Sequence, residues 1–157
     1  MTRPIFYVTL LGFFLFFSGC RPTGTPVVEA GPKGVVTHGK SGESQTYPWD
    51  DITGLHLSRQ LNAKTNKSYP VLRIQTEKNP NIEVASSYSE RVDSKAYAGM
   101  YIHLSIPEAD LDQLKETIIQ SAGLTVHAES DNVWIRKKDA ASNPPSENRV
   151  YFKGIGS

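Results

Sequence analysis

The sequence contains a single cysteine, Cys20, and no surplus of charge of either sign. One thiol cannot form an intrachain disulfide or a zinc site built from several thiolates. The chain has 17 basic and 16 acidic residues, and loss of Arg3 with an N-terminal signal would make these numbers equal. This balance gives the whole domain no electrostatic preference for nucleic acid or for an anionic membrane surface. The fold therefore depends on an apolar core, and no cofactor is expected.

Long apolar runs are absent after the N-terminus, where Ile5–Phe17 is unbroken and follows Arg3. This run is too short to span a bilayer as a helix. A charged segment, an apolar segment and small residues before a cleavage point are typical of a secretory signal. Residues 1–19 are therefore predicted to be a signal peptide.

The end of this signal, Phe17-Ser18-Gly19-Cys20, resembles the lipobox of bacterial lipoproteins. The resemblance implies cleavage before Cys20, acylation of Cys20 and attachment to a membrane through the acyl chains. Several acyl chains hold a protein stably on a bilayer, whereas one chain does not. Arg21 stands where an aspartate would resemble an inner-membrane retention signal. The expected location is thus the outer membrane, facing the periplasm.

Composition divides the rest of the chain. Residues 20–33 are rich in Pro, Gly and Thr, which predicts a flexible tether. Residues 34–138 form the predicted compact domain, which is long enough for one core. Residues 139–157 have little to bury and predict a largely disordered tail, although 149–153 could add an edge strand.

The residue pattern of the compact domain predicts an α+β fold, in which a small antiparallel sheet packs against one amphipathic helix at about 107–122. Apolar residues recur there at helical spacing, Ser105 and Glu108 have capping-box spacing, and Gly123 offers a left-handed stop. Alternation predicts a strand leading into the helix and a hairpin after it. The predicted strands are 52–57, 71–76, 82–85, 100–106, 124–128 and 133–136, with long loops at 62–68 and 86–98.

Two segments of this domain resemble known small bacterial modules. The stretch Tyr47–Leu55, with its Trp-Asp-Asp-Ile run, resembles a strand entry in bacterial pleckstrin-homology-like domains. The stretch Ser121–Val126 is similar to the periplasmic modules at the N-termini of secretins. Neither resemblance assigns a site, because a fold does not determine a function.

The segment Gly34–Ser41 has the glycine, lysine and serine spacing of a phosphate-binding loop. That chemistry needs a strand before the loop and a helix after it. The Pro-rich stretch before it and the polar stretch after it do not fit this arrangement. The segment is therefore predicted to be the turn of an exposed hairpin, and no nucleotide is expected as a partner.

The four histidines, His38, His56, His103 and His127, lie on separate predicted elements, so no metal site is expected. His103 and His127 could face each other across the sheet. The chain has no thiol nucleophile in its mature domain and no nucleophile elbow. A carboxylate-and-histidine hydrolase stays open as an alternative, and a histidine beside a carboxylate in a concave site would favour it.

Aromatic residues provide the remaining candidates. Tyr101 and His103 share the polar face of a strand, which together with Trp49 suggests a binding surface. The competing interpretation of Trp49 is a core residue, because it precedes a predicted strand. The sequence thus predicts a membrane-anchored, non-enzymatic module that binds an envelope protein or the cell wall. The alternative is capture of a small ligand or lipid between sheet and helix.

Overall fold

The computed structural model describes residues 26–39, 42–86, 101–137 and 149–154, and within these ranges the chain is mostly β. In the described part of the chain, ten strands form one sheet of four and one sheet of six, and one α-helix packs with them. The prediction of an α+β fold with one small antiparallel sheet is therefore wrong. The physical reason is that some segments, although too polar or too short to be predicted as strands, form strands because they pair with residues distant in the sequence.

The smaller sheet consists of the first three strands and the last strand, in the order β10-β1-β2-β3. The larger sheet has the order β7-β6-β5-β4-β9-β8. The bounds in chain order are β1 Pro26–Gly31, β2 Gly34–His38, β3 Ser44–Tyr47, β4 Ile52–Asn62, β5 Lys67–Thr76, β6 Asn81–Ala85, β7 Tyr101–Ser105, α1 Glu108–Ala122, β8 Leu124–His127, β9 Ser130–Arg136 and β10 Val150–Lys153.

The smaller sheet corrects the predicted domain limits at both ends. Strand β1 lies inside the stretch predicted as a tether, and β10 lies inside the predicted tail, as the edge strand that the sequence allowed at 149–153. The two strands pair with each other, with Val28 opposite Phe152, and both of these side chains are fully buried. Burial of apolar side chains from both chain ends stabilises a strand pair that neither segment would form alone.

The larger sheet contains the two hairpins that the sequence predicts, β5–β6 and β8–β9, and both are confirmed. Strand β7 adds in parallel to β6, while the other neighbours are antiparallel. The loop predicted at 62–68 is instead a tight turn between the long strands β4 and β5. The Asn62 side chain accepts the backbone N–H groups of Lys64 and Thr65 at 3.0 and 3.2 Å, which organises that turn.

Helix α1 confirms the predicted helix, and it ends as expected at Gly123, which has φ of +66°. A left-handed residue at this position favours glycine because glycine has no Cβ. The predicted capping box does not form, because Pro107 is the N-cap residue and no side chain caps the first turn. The helix is held by its apolar face, where Leu111, Leu114 and Ile118 are buried.

Both sheets and the helix share one core, so the space between the layers is filled by side chains of the protein. The largest fully buried side chains are Tyr47, Phe152, Ile52, Leu55, Leu72, Ile74, Ile82, Ile106, Leu111, Leu114, Ile118 and Val28. These residues come from all three layers and belong to one contiguous cluster.

The 3₁₀ turn Trp49–Asp51 connects β3 of the smaller sheet to β4 of the larger sheet. The Trp49 ring is only 3 % exposed, and its Nε1–H donates to the Gly31 carbonyl at the end of β1 at 2.9 Å. Arg136, the last residue of β9, donates to the Trp49 carbonyl and lies 3.2 Å from the Asp50 carboxylate. The turn therefore holds one strand from each sheet at a fixed distance.

Asp51 is 4 % exposed, and its carboxylate organises the turn between β5 and β6. Its Oδ1 accepts the backbone N–H groups of Glu77 and Lys78 at 3.1 and 2.6 Å. Its Oδ2 accepts the side-chain amide of Asn79 at 2.6 Å. A buried carboxylate is tolerated when its oxygens are this fully paired.

We expect Asp51→Ala to lower the free energy of unfolding by about 1–3 kcal/mol, because it removes the carboxylate that accepts the Lys78 N–H and the Asn79 amide. Denaturant unfolding measures this loss. The matched control is Asp50→Ala, which removes an exposed ion pair and should cost less than about 1 kcal/mol. Equal losses for the two variants would contradict the assignment of Asp51 as the organising residue.

The Tyr47 hydroxyl is buried without a hydrogen-bond partner of good geometry among the described residues. Burial is the main cause that raises the pKa of Tyr47 to about 12; the charge of Asp51 adds to this rise, and the nearby Thr37 hydroxyl opposes it. In the unfolded chain a tyrosine has a pKa of about 10. Between these values the unfolded chain has lost the proton while the folded protein still keeps it, so stability falls as the pH rises.

We therefore expect Tyr47→Phe to be at least as stable as the parent near pH 8, because the variant removes an unpaired buried hydroxyl. Between about pH 10 and 12 its stability should fall less steeply than that of the parent. Urea midpoints across this range measure the effect. Tyr151→Phe is the control, since the Tyr151 side chain is 54 % exposed. Parallel curves for the Tyr47 variant and the parent would rule out this linkage.

Candidate functional site

A group of polar side chains lies on the face of β5, β6 and β7 that points away from the core. The strand register places Arg73 opposite Glu83, and Glu83 opposite His103. Core residues alternate with them along each strand, because successive side chains of a strand point to opposite faces. We call Arg73, Glu83, Tyr101 and His103 the polar face.

Glu83 is the centre of the polar face. Its Oε2 accepts Nε of Arg73 at 2.9 Å, and its Oε1 lies 3.2 Å from Nδ1 of His103. The side chains of Arg73, Glu83 and His103 are 35 %, 19 % and 29 % exposed. Cross-strand pairs of opposite charge hold side chains in fixed positions while leaving their outer edges accessible to a partner.

The polar face extends in two directions. Along β7, the rings of Tyr101 and His103 have centroids 6.3 Å apart. Across the sheet, His56 of β4 lies opposite Arg73. With Nδ1 of His103 turned to Glu83, Nε2 is the ring nitrogen that remains to contact a partner. The arrangement presents an aromatic ring, an imidazole and a guanidinium on one flat surface.

The structure therefore brings together two of the three predicted surface residues, Tyr101 and His103. Trp49 lies in the core, as the competing interpretation stated, and offers no surface for binding. Arg73 and Glu83 were not predicted as site residues. The predicted hairpin could have found them only with the right turn position: a turn centred at Lys78 places Arg73 opposite Glu83, whereas the turn predicted at 78–81 would place position 86 there.

The prediction that His103 and His127 face each other is wrong. They lie on β7 and β8, which are the two opposite edges of the larger sheet. Within the described ranges, no three histidine, cysteine or acidic side chains come together as metal ligands would. The prediction that Gly34–Ser41 is an exposed turn is wrong for Gly34–His38, which form the largely buried strand β2 paired with β3; Lys40 and Ser41 lie outside the described residues.

A small cavity of about 230 Å³ lies on the outer side of the smaller sheet. Its charged lining residues are Glu29, Lys33 and Arg149, and Glu29 lies 3.7 Å from Arg149. Gly34 borders it at φ of +134°, where a Cβ would lie 1.9 Å from the Tyr47 carbonyl oxygen. Ligand sites for drug-sized molecules usually have volumes of about 300–1,000 Å³, so this cavity suits only a smaller group.

His103 and Glu83 are a histidine and a carboxylate within hydrogen-bond reach, which is part of what a hydrolase would need. They lie on an extended sheet face, whereas the cavity lies on the other sheet. Glu83 also accepts a hydrogen bond from Nε of Arg73 at 2.9 Å.

No known protein family, curated protein or solved structure matches this chain. Among the helices that the structure describes, none is long and apolar enough to cross a membrane. Cys20 and the signal that precedes it lie outside the described residues.

Proposed function

We propose that this chain is a lipid-anchored protein of the bacterial envelope whose folded domain is a non-enzymatic binding module. The observation that supports the anchor is the sequence Phe17-Ser18-Gly19-Cys20 at the end of an apolar run. Cys20 would be acylated and become the mature N-terminus. The absence of an aspartate after Cys20 favours the outer membrane, with the domain in the periplasm.

The position of β1 makes this anchor short. Only five residues separate Cys20 from Pro26, where β1 begins. Six residue steps span at most about 20 Å. The domain would therefore stay close to the bilayer, and a partner would have to be embedded in the membrane or lie within the adjacent layer of the envelope.

The polar face is the surface proposed to bind that partner. Arg73 and His103 are fixed by Glu83, so they lose little conformational freedom when they contact another molecule. Tyr101 adds apolar area with a polar tip, and aromatic and arginine side chains are enriched where binding energy is concentrated. An envelope protein or a cell-wall polymer with acidic or hydroxyl groups would suit this chemistry.

The first test addresses the anchor. We expect Cys20→Ser to abolish incorporation of labelled palmitate and to release the protein from the membrane fraction, or to leave the signal uncleaved. Thr23→Ala is the matched control, because it changes a nearby residue without removing the thiol. Unchanged processing and unchanged membrane attachment in Cys20→Ser would overturn the proposal of a lipoprotein.

The second test addresses the polar face. A photo-crosslinking amino acid at position 101 should capture a protein or cell-wall fragment in whole cells, and Glu83→Ala should reduce the yield because it releases Arg73 and His103. The control position is Gln113, which is exposed on the helix. Equal adducts from both positions would contradict the assigned surface. Recovery of lipid alone from position 101 would favour the alternative of a small-ligand or lipid carrier.

A further inference from the structure

The hairpin formed by β4 and β5 extends beyond its neighbours in the larger sheet. Strand β6 pairs with β5 only between Val71 and Ile74. Strand β9 pairs with β4 only between Gly54 and His56. The remainder is a two-stranded ribbon whose end, residues 59–68, we call the hairpin tip.

The hairpin tip combines an exposed apolar side chain with positive charge. Leu61 is 62 % exposed, the highest value among the exposed large hydrophobic residues that the structure describes. Residues 58–70 contain Arg59, Lys64 and Lys67 and no acidic residue. Lys64, in the turn, and Lys67, the first residue of β5, are both exposed. Cationic side chains around an apolar one are the combination that binds the headgroup region of an anionic bilayer.

The hairpin tip lies at the same end of the domain as the start of β1. Gly154 lies beside both Val27 and Ser105. A Cβ atom built on Gly154 would be 2.8 Å from the Val27 side chain and 3.5 Å from the Ser105 carbonyl oxygen. Val27 is the second residue of β1, and Ser105 is the last residue of β7. The end of β7 is therefore close to the start of β1, which is the described strand nearest in sequence to Cys20.

The direction of the ribbon follows from the strand pairing. Strand β7 is parallel to β6, and β5 is antiparallel to β6. The N-terminal end of β5, from Val71 back to Lys67, therefore points in the same direction as the C-terminal end of β7 at Ser105. The side chain of Arg59 also lies 3.8 Å from that of Glu108, in the first turn of the helix that follows β7. Four strand residues project the tip about 13 Å past this end.

We propose that the hairpin tip contacts the surface of the bilayer that holds the acyl anchor, with Leu61 at the headgroup level and Lys64 and Lys67 on anionic phospholipid headgroups. This inference rests on the proposed acylation of Cys20, which places the same end of the domain within about 20 Å of the membrane. The contact fixes the orientation of the domain, so that the polar face keeps a constant direction relative to the membrane. The patch is not apparent from the net charge of the chain, because basic and acidic residues are nearly equal in number over the whole sequence.

The acylated Cys20 leaves no free thiol, so an introduced cysteine can carry an environment-sensitive fluorophore at one chosen position. Thr65→Cys places it on the hairpin tip, and Gln120→Cys places it at the far end of the helix as a control. The protein purified from membranes is reconstituted into vesicles of phosphatidylethanolamine with phosphatidylglycerol. We expect the probe at position 65 to be shielded from aqueous iodide and quenched by spin-labelled lipid, while the probe at position 120 stays accessible to iodide.

Lys64→Gln with Lys67→Gln should reduce the equilibrium constant for tip contact roughly thirtyfold, since two cationic contacts are lost. Lys33→Gln is the control, because Lys33 lies in the turn at the opposite end of β1. Equal iodide access at positions 65 and 120 would overturn the proposal, as would shielding that persists in the double variant. Shielding that occurs only in intact cells would indicate a protein on the tip and would also overturn it.

The intact mass of the same sample tests the anchor separately. An unacylated chain would contradict the lipoprotein proposal, and the probe at position 65 would then report contact of the tip alone with anionic vesicles, with the same dependence on the two lysines.

Discussion

The buried turn Trp49–Asp51 is the constraint on which the arrangement of both sheets depends. Trp49 binds the end of β1 in the smaller sheet, and its carbonyl accepts a donor from Arg136 in the larger sheet. Asp51 holds the turn between β5 and β6, which fixes the register of that hairpin. This register places Glu83 beside Arg73. A structural carboxylate in the core thus determines the geometry of a surface group more than 20 residues away in sequence.

The pairing of the first and last described strands limits how far the domain could lie from its proposed anchor. Because β1 pairs with β10, the strand nearest to Cys20 is part of the folded core and does not act as a long flexible linker. A short connection restricts the distance between the domain and a bilayer, and it also raises the local concentration of the domain near partners in that membrane. The proposed hairpin contact would further restrict rotation, so that anchor and recognition surface act as one rigid arrangement.

Sequence patterns predicted the elements whose stability is local. Helix α1 was predictable because Leu111, Leu114 and Ile118 recur at helical spacing and Gly123 ends the helix. Strand β1 was not predictable, since Pro and Gly surround Val27 and Val28 and one of its two partner strands, β10, lies more than 100 positions later. The relation of His103 to His127 also depends on sheet order, which a single sequence does not encode locally. Tyr101 and His103 were predictable from alternation alone.

The central claim is that the folded domain is held at the membrane through Cys20, and mass spectrometry of the N-terminal peptide of the protein purified from its own membranes tests this most directly. The account predicts a mature chain that begins at Cys20 and carries a diacylglyceryl group on its sulfur. A chain that begins at Met1, or one that begins at an unmodified Cys20, would contradict it.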